Sequence, residues 1–200
     1  MAWTKDISHW YRLLYNLKKI YLRKDDIIMK SNFKKNIINS LLLAIGFILH
    51  QVAPPIFFGM KPDLSLTMVF IIIILNEDYK TTLIVGIIAG ILSALTTTFP
   101  GGQPANVIDK IITSNVIYLA LLPFRNKLNN QIKIIIFTAI GTVLSGTVFL
   151  TAASILVGLP QSFTAMFIAV VLPAALVNTV TAIILFNAIQ ISLKHAKVTL

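Results

Sequence analysis

The chain has 200 residues, 56% of them hydrophobic and 12% charged, with a mean hydropathy of +0.85 and a formal net charge of +10. Soluble domains carry about 25% charged residues, so the composition excludes an ordinary soluble domain. The lack of cysteine excludes disulfides and thiolate metal sites. The positive charge does not point to nucleic acid, because the basic residues fall where a membrane topology puts them.

Residues 1–31 read as a basic tail. The stretch "HWYRLLYNLKKIYL" sets Trp10, Leu14, Leu17 and Tyr21 at helical spacing, with Arg12, Lys18 and Lys19 elsewhere around the helix. That pattern suits an interfacial helix on the inner leaflet; the other reading is a dispensable tail, with "MKSNFKK" at Met29 as a second start. The first thirty residues hold no continuous apolar run, so a cleavable signal peptide is not expected.

Six membrane spans follow, at about residues 33–50, 62–75, 81–98, 104–123, 134–157 and 163–193. No Asp, Glu, Lys or Arg occurs from Thr81 to Ile108 or from Ile134 to Leu193, and a helix needs roughly 20 apolar residues to cross a bilayer. The second span is short, about 21 Å at 1.5 Å per residue, so it must sit among longer neighbours or meet a thinned bilayer. The sixth contains Pro173, where a kink is expected. The domain reading is a tail over 1–31, a six-helix membrane domain over 32–195 and a short tail over 196–200.

Orientation follows from Lys and Arg. With both termini in the cytoplasm, fifteen of the 17 basic residues lie on that side, and only Lys61 and Lys110 lie on the other. The Pro/Gly-rich connectors 51–62, 99–106 and 158–161 then all face outward. Irregular backbone at membrane depth is tolerated where protein or water satisfies it, so three such loops on one face predict a structured outer vestibule.

The outer ends of the spans carry the candidate binding groups. Lys61, Asp63, Asp109 and Lys110 are the charged residues there, and ionisable groups at membrane depth are costly and tend to be functional. Asp109 and Lys110 are adjacent on a helix, about 100° apart, so they are not expected to address one point. Cross-loop pairing, Lys61 with Asp109 or Asp63 with Lys110, is the alternative to a binding role. At the start of span four, Gly101 and Gly102 precede Pro104, a residue suited to the first helical turn. A glycine-rich approach to a helix N-terminus can hold an anion. Asn106, Asp109 or Lys110, and Thr113 continue as a polar stripe, with Gln103 beside it. Phe57, Phe58 and Phe99 border the same face, as a ligand enclosure or an interfacial belt. Deeper polar positions are Thr138, Thr142, Ser145, Asn178 and Thr181; a buried amide such as Asn178 demands partners, from a ligand or from a neighbouring helix.

Enzymatic chemistry finds little support. There is no HExxH, GxSxG or GxxxxGK[ST] motif, and the one histidine near a span is His50. A Ser145–His50 dyad is conceivable, but a serine beside glycine in a membrane helix is usually a packing residue. No catalytic residue, metal ligand or cofactor is expected. Small residues recur every four positions, Gly86, Gly90 and Ala94 on span three, and Ser40 and Ala44 on span one; such faces pack helices closely or dock a partner.

The blocks "FFGMKPDLSLTMVF" and "ALTTTFPGGQPANVIDK" resemble the tryptophan transporter family, substrate-binding (S) components of energy-coupling factor (ECF) importers. The resemblance covers about residues 32–193. It implies a six-helix S-component bundle in a bacterial cell membrane, taking one small molecule from outside into a pocket closed by the first outer loop. It also implies a transmembrane coupling subunit and two cytoplasmic ATPases as partners, with ATP binding making the S component topple and release its ligand inward. S components meet the coupling subunit through small residues on helix one, here Ser40 and Ala44. The expectation is tryptophan import, with the substrate carboxylate at 101–106 near Lys61 or Lys110, its ammonium on Asp63 or Asp109, and its indole against Phe58 and Phe99. The alternatives are a stand-alone secondary carrier of a small amphipathic solute, an intramembrane enzyme, and a structural subunit that binds no small molecule.

Overall fold

In hydrocarbon every backbone polar group must be bonded within the chain, and this sequence meets that demand with helices alone. The computed structural model describes residues 15, 18, 19, 32–54 and 61–196, and none of the described residues forms a strand. Trp10, Leu14, Leu17, Tyr21, Phe57 and Phe58 lie outside the described residues. The chain divides into two units, Met1–Ser40 and Leu41–Leu200, and the pocket and charge cluster described below belong to the second.

The principal helices among the described residues are α1 (Asn32–Val52), α2 (Leu64–Leu75), α3 (Tyr79–Thr96), α4 (Gln103–Leu121), α5 (Asn130–Leu156) and α6 (Phe163–His195). All but α2 are long and apolar enough to cross a membrane. The starts of α2, α3, α5 and α6 are set by side chains that accept from free backbone N–H groups: Asp63 from Leu66, Asp78 from Thr81, Asn129 from Ile132 and Ser162 from Ala165. Helix α5 begins four residues before the charge-free run, because Asn129 caps a polar first turn that hydropathy alone does not register.

Helix α2 is the centre of the bundle. Its sequence, LSLTMVFIIIIL, is apolar on every face, and Ser65 through Ile74 are all buried. A helix without a polar side is covered on all sides, and α3, α4, α5 and α6 all pack against this one. The short span therefore sits among longer neighbours, the first of the two outcomes its length allows. The other helices carry the exposed apolar side chains, including Ile84, Ile91 and Leu95 on α3, and Leu176, Val180 and Ile184 on α6.

Glycines let these helices approach closely. A Cβ added at Gly86 of α3 would collide with Ser114 Oγ of α4, and one at Gly141 of α5 would lie 2.5 Å from the Phe70 ring of α2. At Pro173 the helix continues, but it widens into a π turn over Phe167–Val171 just before it. Proline has no N–H for the carbonyl of Ala169, four residues back, and its ring presses on that carbonyl; the wider turn relieves both.

Candidate functional site

One end of the second unit holds an open pocket, with about 730 Å³ of empty space when its mouth is included. It collects the ends of α1, α2, α3 and α4 and the middle turns of α5 and α6.

Its polar wall is a buried charge cluster. The Lys110 ammonium donates to Asp63 Oδ2 at 2.7 Å and also contacts Asp109 Oδ2. Asp109 accepts from Ser145 Oγ at 2.8 Å and from Thr113 Oγ1 at 2.9 Å. Asp63 Oδ1, besides capping α2, accepts from Ser65 Oγ at 2.5 Å, and Ser65 is 3.3 Å from Ser93. The His50 Nδ1 lies 3.2 Å from the Pro62 carbonyl, which can only accept, and 3.7 Å from Asp63 Oδ1. Lys110 and Asp109 are almost completely buried, whereas the Asp63 side chain keeps 20% of its surface open.

The cross-loop pair Asp63–Lys110 therefore forms, and Lys61 does not reach Asp109; its ammonium donates to the Gln51 carbonyl at 3.0 Å. The expectation that Asp109 and Lys110 diverge is corrected. Their backbones do point apart, but four methylenes let the Lys110 ammonium curl back onto its neighbour. A buried charge with partners is tolerated; the same charge with a partner removed costs about 3–5 kcal/mol. Two carboxyl groups, Asp63 and Asp109, share the single ammonium of Lys110.

The apolar wall is built on Phe99 and Phe149, whose rings meet edge to face at 5.5 Å, with Leu66, Leu150 and Val171 around them. Asn178 lies farther along α6. Its Nδ2 donates to Thr142 Oγ1 at 3.3 Å, while its Oδ1 is buried without a partner.

Of the residues expected to bind, Lys61, Asp63, Phe99, Asn106, Asp109, Lys110 and Asn178 line the pocket. Phe58 lies outside the described residues. Gly101, Gly102 and Gln103 do not line the pocket. Gly101 takes a left-handed turn over Val157, and the Gly102 N–H is spent on the Phe99 carbonyl at 3.0 Å; the expected anion cradle is therefore absent from this wall. Ser145 and His50 share the pocket, but Ser145 donates to Asp109 and His50 faces Pro62 and Asp63, so they form no dyad. Gly86 and Gly90 are used internally against α4, Ala94 is half-buried, and Ser40 and Ala44 are exposed. The sequence reading missed Phe149, Ser93 and Thr97. A signal for the first was present: Thr142, Ser145 and Phe149 recur at i, i+3, i+7, one face of α5. Among the described residues, no group of three His, Asp or Glu could hold a metal ion.

The family described as Tryptophan transporter TrpP matches residues 32–194. A probable tryptophan transport protein of Clostridium acetobutylicum is 55% identical over 166 residues, which cover 83% of this chain and 97% of that protein. Proteins with the same description match from Clostridium perfringens, at 45% identity over 84% of this chain and 97% of theirs, and from Bacillus subtilis, at 44% over 82% and 94%. No solved structure matches significantly. These relatives are transporters rather than enzymes, in keeping with the missing catalytic motifs, and the apolar helices are those of a multi-pass protein of a bacterial cell membrane.

Proposed function

The chain belongs to the tryptophan transporter family, and from that premise we propose that its pocket takes up tryptophan from outside the cell for import. The cytoplasmic excess of Lys and Arg, with both termini inside, orients the pocket outward. The observation that carries the reading is the pairing of two carboxyl groups sharing one ammonium with an aromatic wall, in a single cavity. An amino acid with an aromatic side chain offers the complement of both.

Asp63, the open member of the cluster, receives the substrate ammonium, and Lys61 at the mouth receives the carboxylate. Asp109 and Lys110, almost fully enclosed, hold Asp63 in place. The indole lies against Phe99 and Phe149, where aromatic pairs prefer edge-to-face or offset contact.

Transport is energised by a separate coupling subunit and two ATPases, with this chain as the S component. The sequence itself has no phosphate-binding loop, and the exposed Ser40 and Ala44 of α1 are the small residues left for docking once Gly86 and Gly90 are taken up inside. Calorimetric titration of the purified protein with tryptophan tests binding, and a wild-type protein that takes up none defeats the reading. Uptake into vesicles tests the coupling. Dependence on added ATPases and ATP supports the S-component assignment, whereas uptake by the chain alone under an ion gradient replaces it with a secondary carrier. That second reading draws on the His50–Asp63 contact at 3.7 Å inside the pocket.

A further inference from the structure

The geometry points to Asn178 Oδ1 as the acceptor for the indole N–H of the substrate, the contact that selects tryptophan over aromatic amino acids without that donor; the inference rests on the proposed tryptophan site and deepens it. Asn178 is completely buried. Its Nδ2 is committed to Thr142 Oγ1 at 3.3 Å, which turns the other end of the amide away. That end, Oδ1, has no hydrogen-bond partner, and Asn178 lines the pocket.

A buried carbonyl left unbonded is expensive, so a chain that keeps one on a residue lining a ligand cavity has a use for it. The requirement is specific: the occupant must bring a donor, because a carbonyl oxygen can only accept. It must bring that donor on an otherwise apolar group, since Leu150, Val171 and Phe149 line the same cavity. Indole has one polar atom, and it is an N–H donor.

The position fits as well. Thr142, which anchors Asn178, lies three residues along α5 from Ser145, which anchors Asp109. That is about 4.5 Å along the helix axis, comparable with the distance from the α-carbon of tryptophan to its indole nitrogen. The charged head and the indole nitrogen can therefore be met by the two polar stations at once, with Phe149 about one turn beyond Ser145 on the same face of α5. A site built around a hydrogen bond rejects an analogue lacking the donor strongly, because its own polar group is then left unpaired.

The test compares tryptophan with benzothienylalanine, in which sulfur replaces the indole N–H with little change of shape. The wild-type protein is expected to bind tryptophan roughly ten- to a hundredfold more tightly than the analogue, and Asn178→Leu is expected to bind the two equally. Equal binding by the wild type overturns the inference and leaves the tryptophan site standing. Retention of the wild-type ratio by Asn178→Leu also overturns it. A wild type that binds neither compound overturns both this inference and the reading beneath it. The wild-type comparison involves no substitution, so a poorly folded variant leaves the test decisive.

Discussion

The two ends of the bundle both take basic side chains out of solvent, and they use them differently. At the pocket end Lys110 is held by two carboxylates beside an open cavity. At the other end Arg125 donates to the Asn76 carbonyl at 3.2 Å and lies over the Tyr118 ring at 5.1 Å, Tyr118 donates to the Glu77 carbonyl at 3.1 Å, and Lys133 donates to the Arg125 carbonyl. Cations bonded to backbone carbonyls tie connectors to helices; cations bonded to carboxylates around a cavity make a charge pattern a ligand can complete. The difference teaches that burial of a charge does not by itself mark a site. What marks it is the combination of opposed charges, unfilled space and an apolar wall.

The strongest way to break that contrast is Lys110→Met, which leaves two carboxylates facing each other without their cation. A loss of about 3–5 kcal/mol is expected, read as a lower unfolding temperature in detergent, together with loss of tryptophan binding. Wild-type melting by this variant would show that the cluster is not a buried, coupled unit.

Asp63→Asn sharpens the division within the cluster. Because Asp63 is its open member, affinity should fall roughly ten- to a hundredfold, the loss of a charge-assisted hydrogen bond of about 1.5–3 kcal/mol, in titration calorimetry. Unchanged affinity would move the ammonium elsewhere.

Gly86→Ala probes what both ends share, the close α3–α4 contact. Its new methyl would strike Ser114, and overpacking of this kind costs about 1–3 kcal/mol, measurable as reduced thermal stability.

The smallest effect belongs to the opposite end. Arg125→Gln should lower stability by about 1 kcal/mol, through its hydrogen bond and ring contact, while tryptophan affinity stays at the wild-type value. A large drop in affinity would mean the two ends are energetically linked.

Much of the pocket was legible before any coordinates. Phe99, Asn106, Asp109 and Lys110 announce themselves as polar or aromatic residues interrupting an apolar chain, and Asn178 as an amide where none is needed for solubility. Phe149 did not, because an aromatic among aliphatic residues is equally at home facing lipid or cavity. Gly101 and Gly102 misled for the opposite reason: a flexible, glycine-rich helix start looks like an anion site, but its N–H groups are directed by the turn, and here the turn bonds Gly102 to Phe99.

The sequence by itself determined an all-helical membrane protein, since the length of an apolar run and the placement of capping residues and charges are properties of short stretches of chain. For the short span α2 it left two outcomes, a place among longer neighbours or a thinned bilayer, and the packing of α3, α4, α5 and α6 around α2 selects the first. Only the tertiary structure decided that Lys110 bridges Asp63 and Asp109, that Ser145 serves Asp109 rather than His50, and that one oxygen of Asn178 is left free. Those outcomes depend on how helices far apart in sequence are turned toward one another and on how far a flexible side chain can reach, and neither is encoded in local composition or spacing.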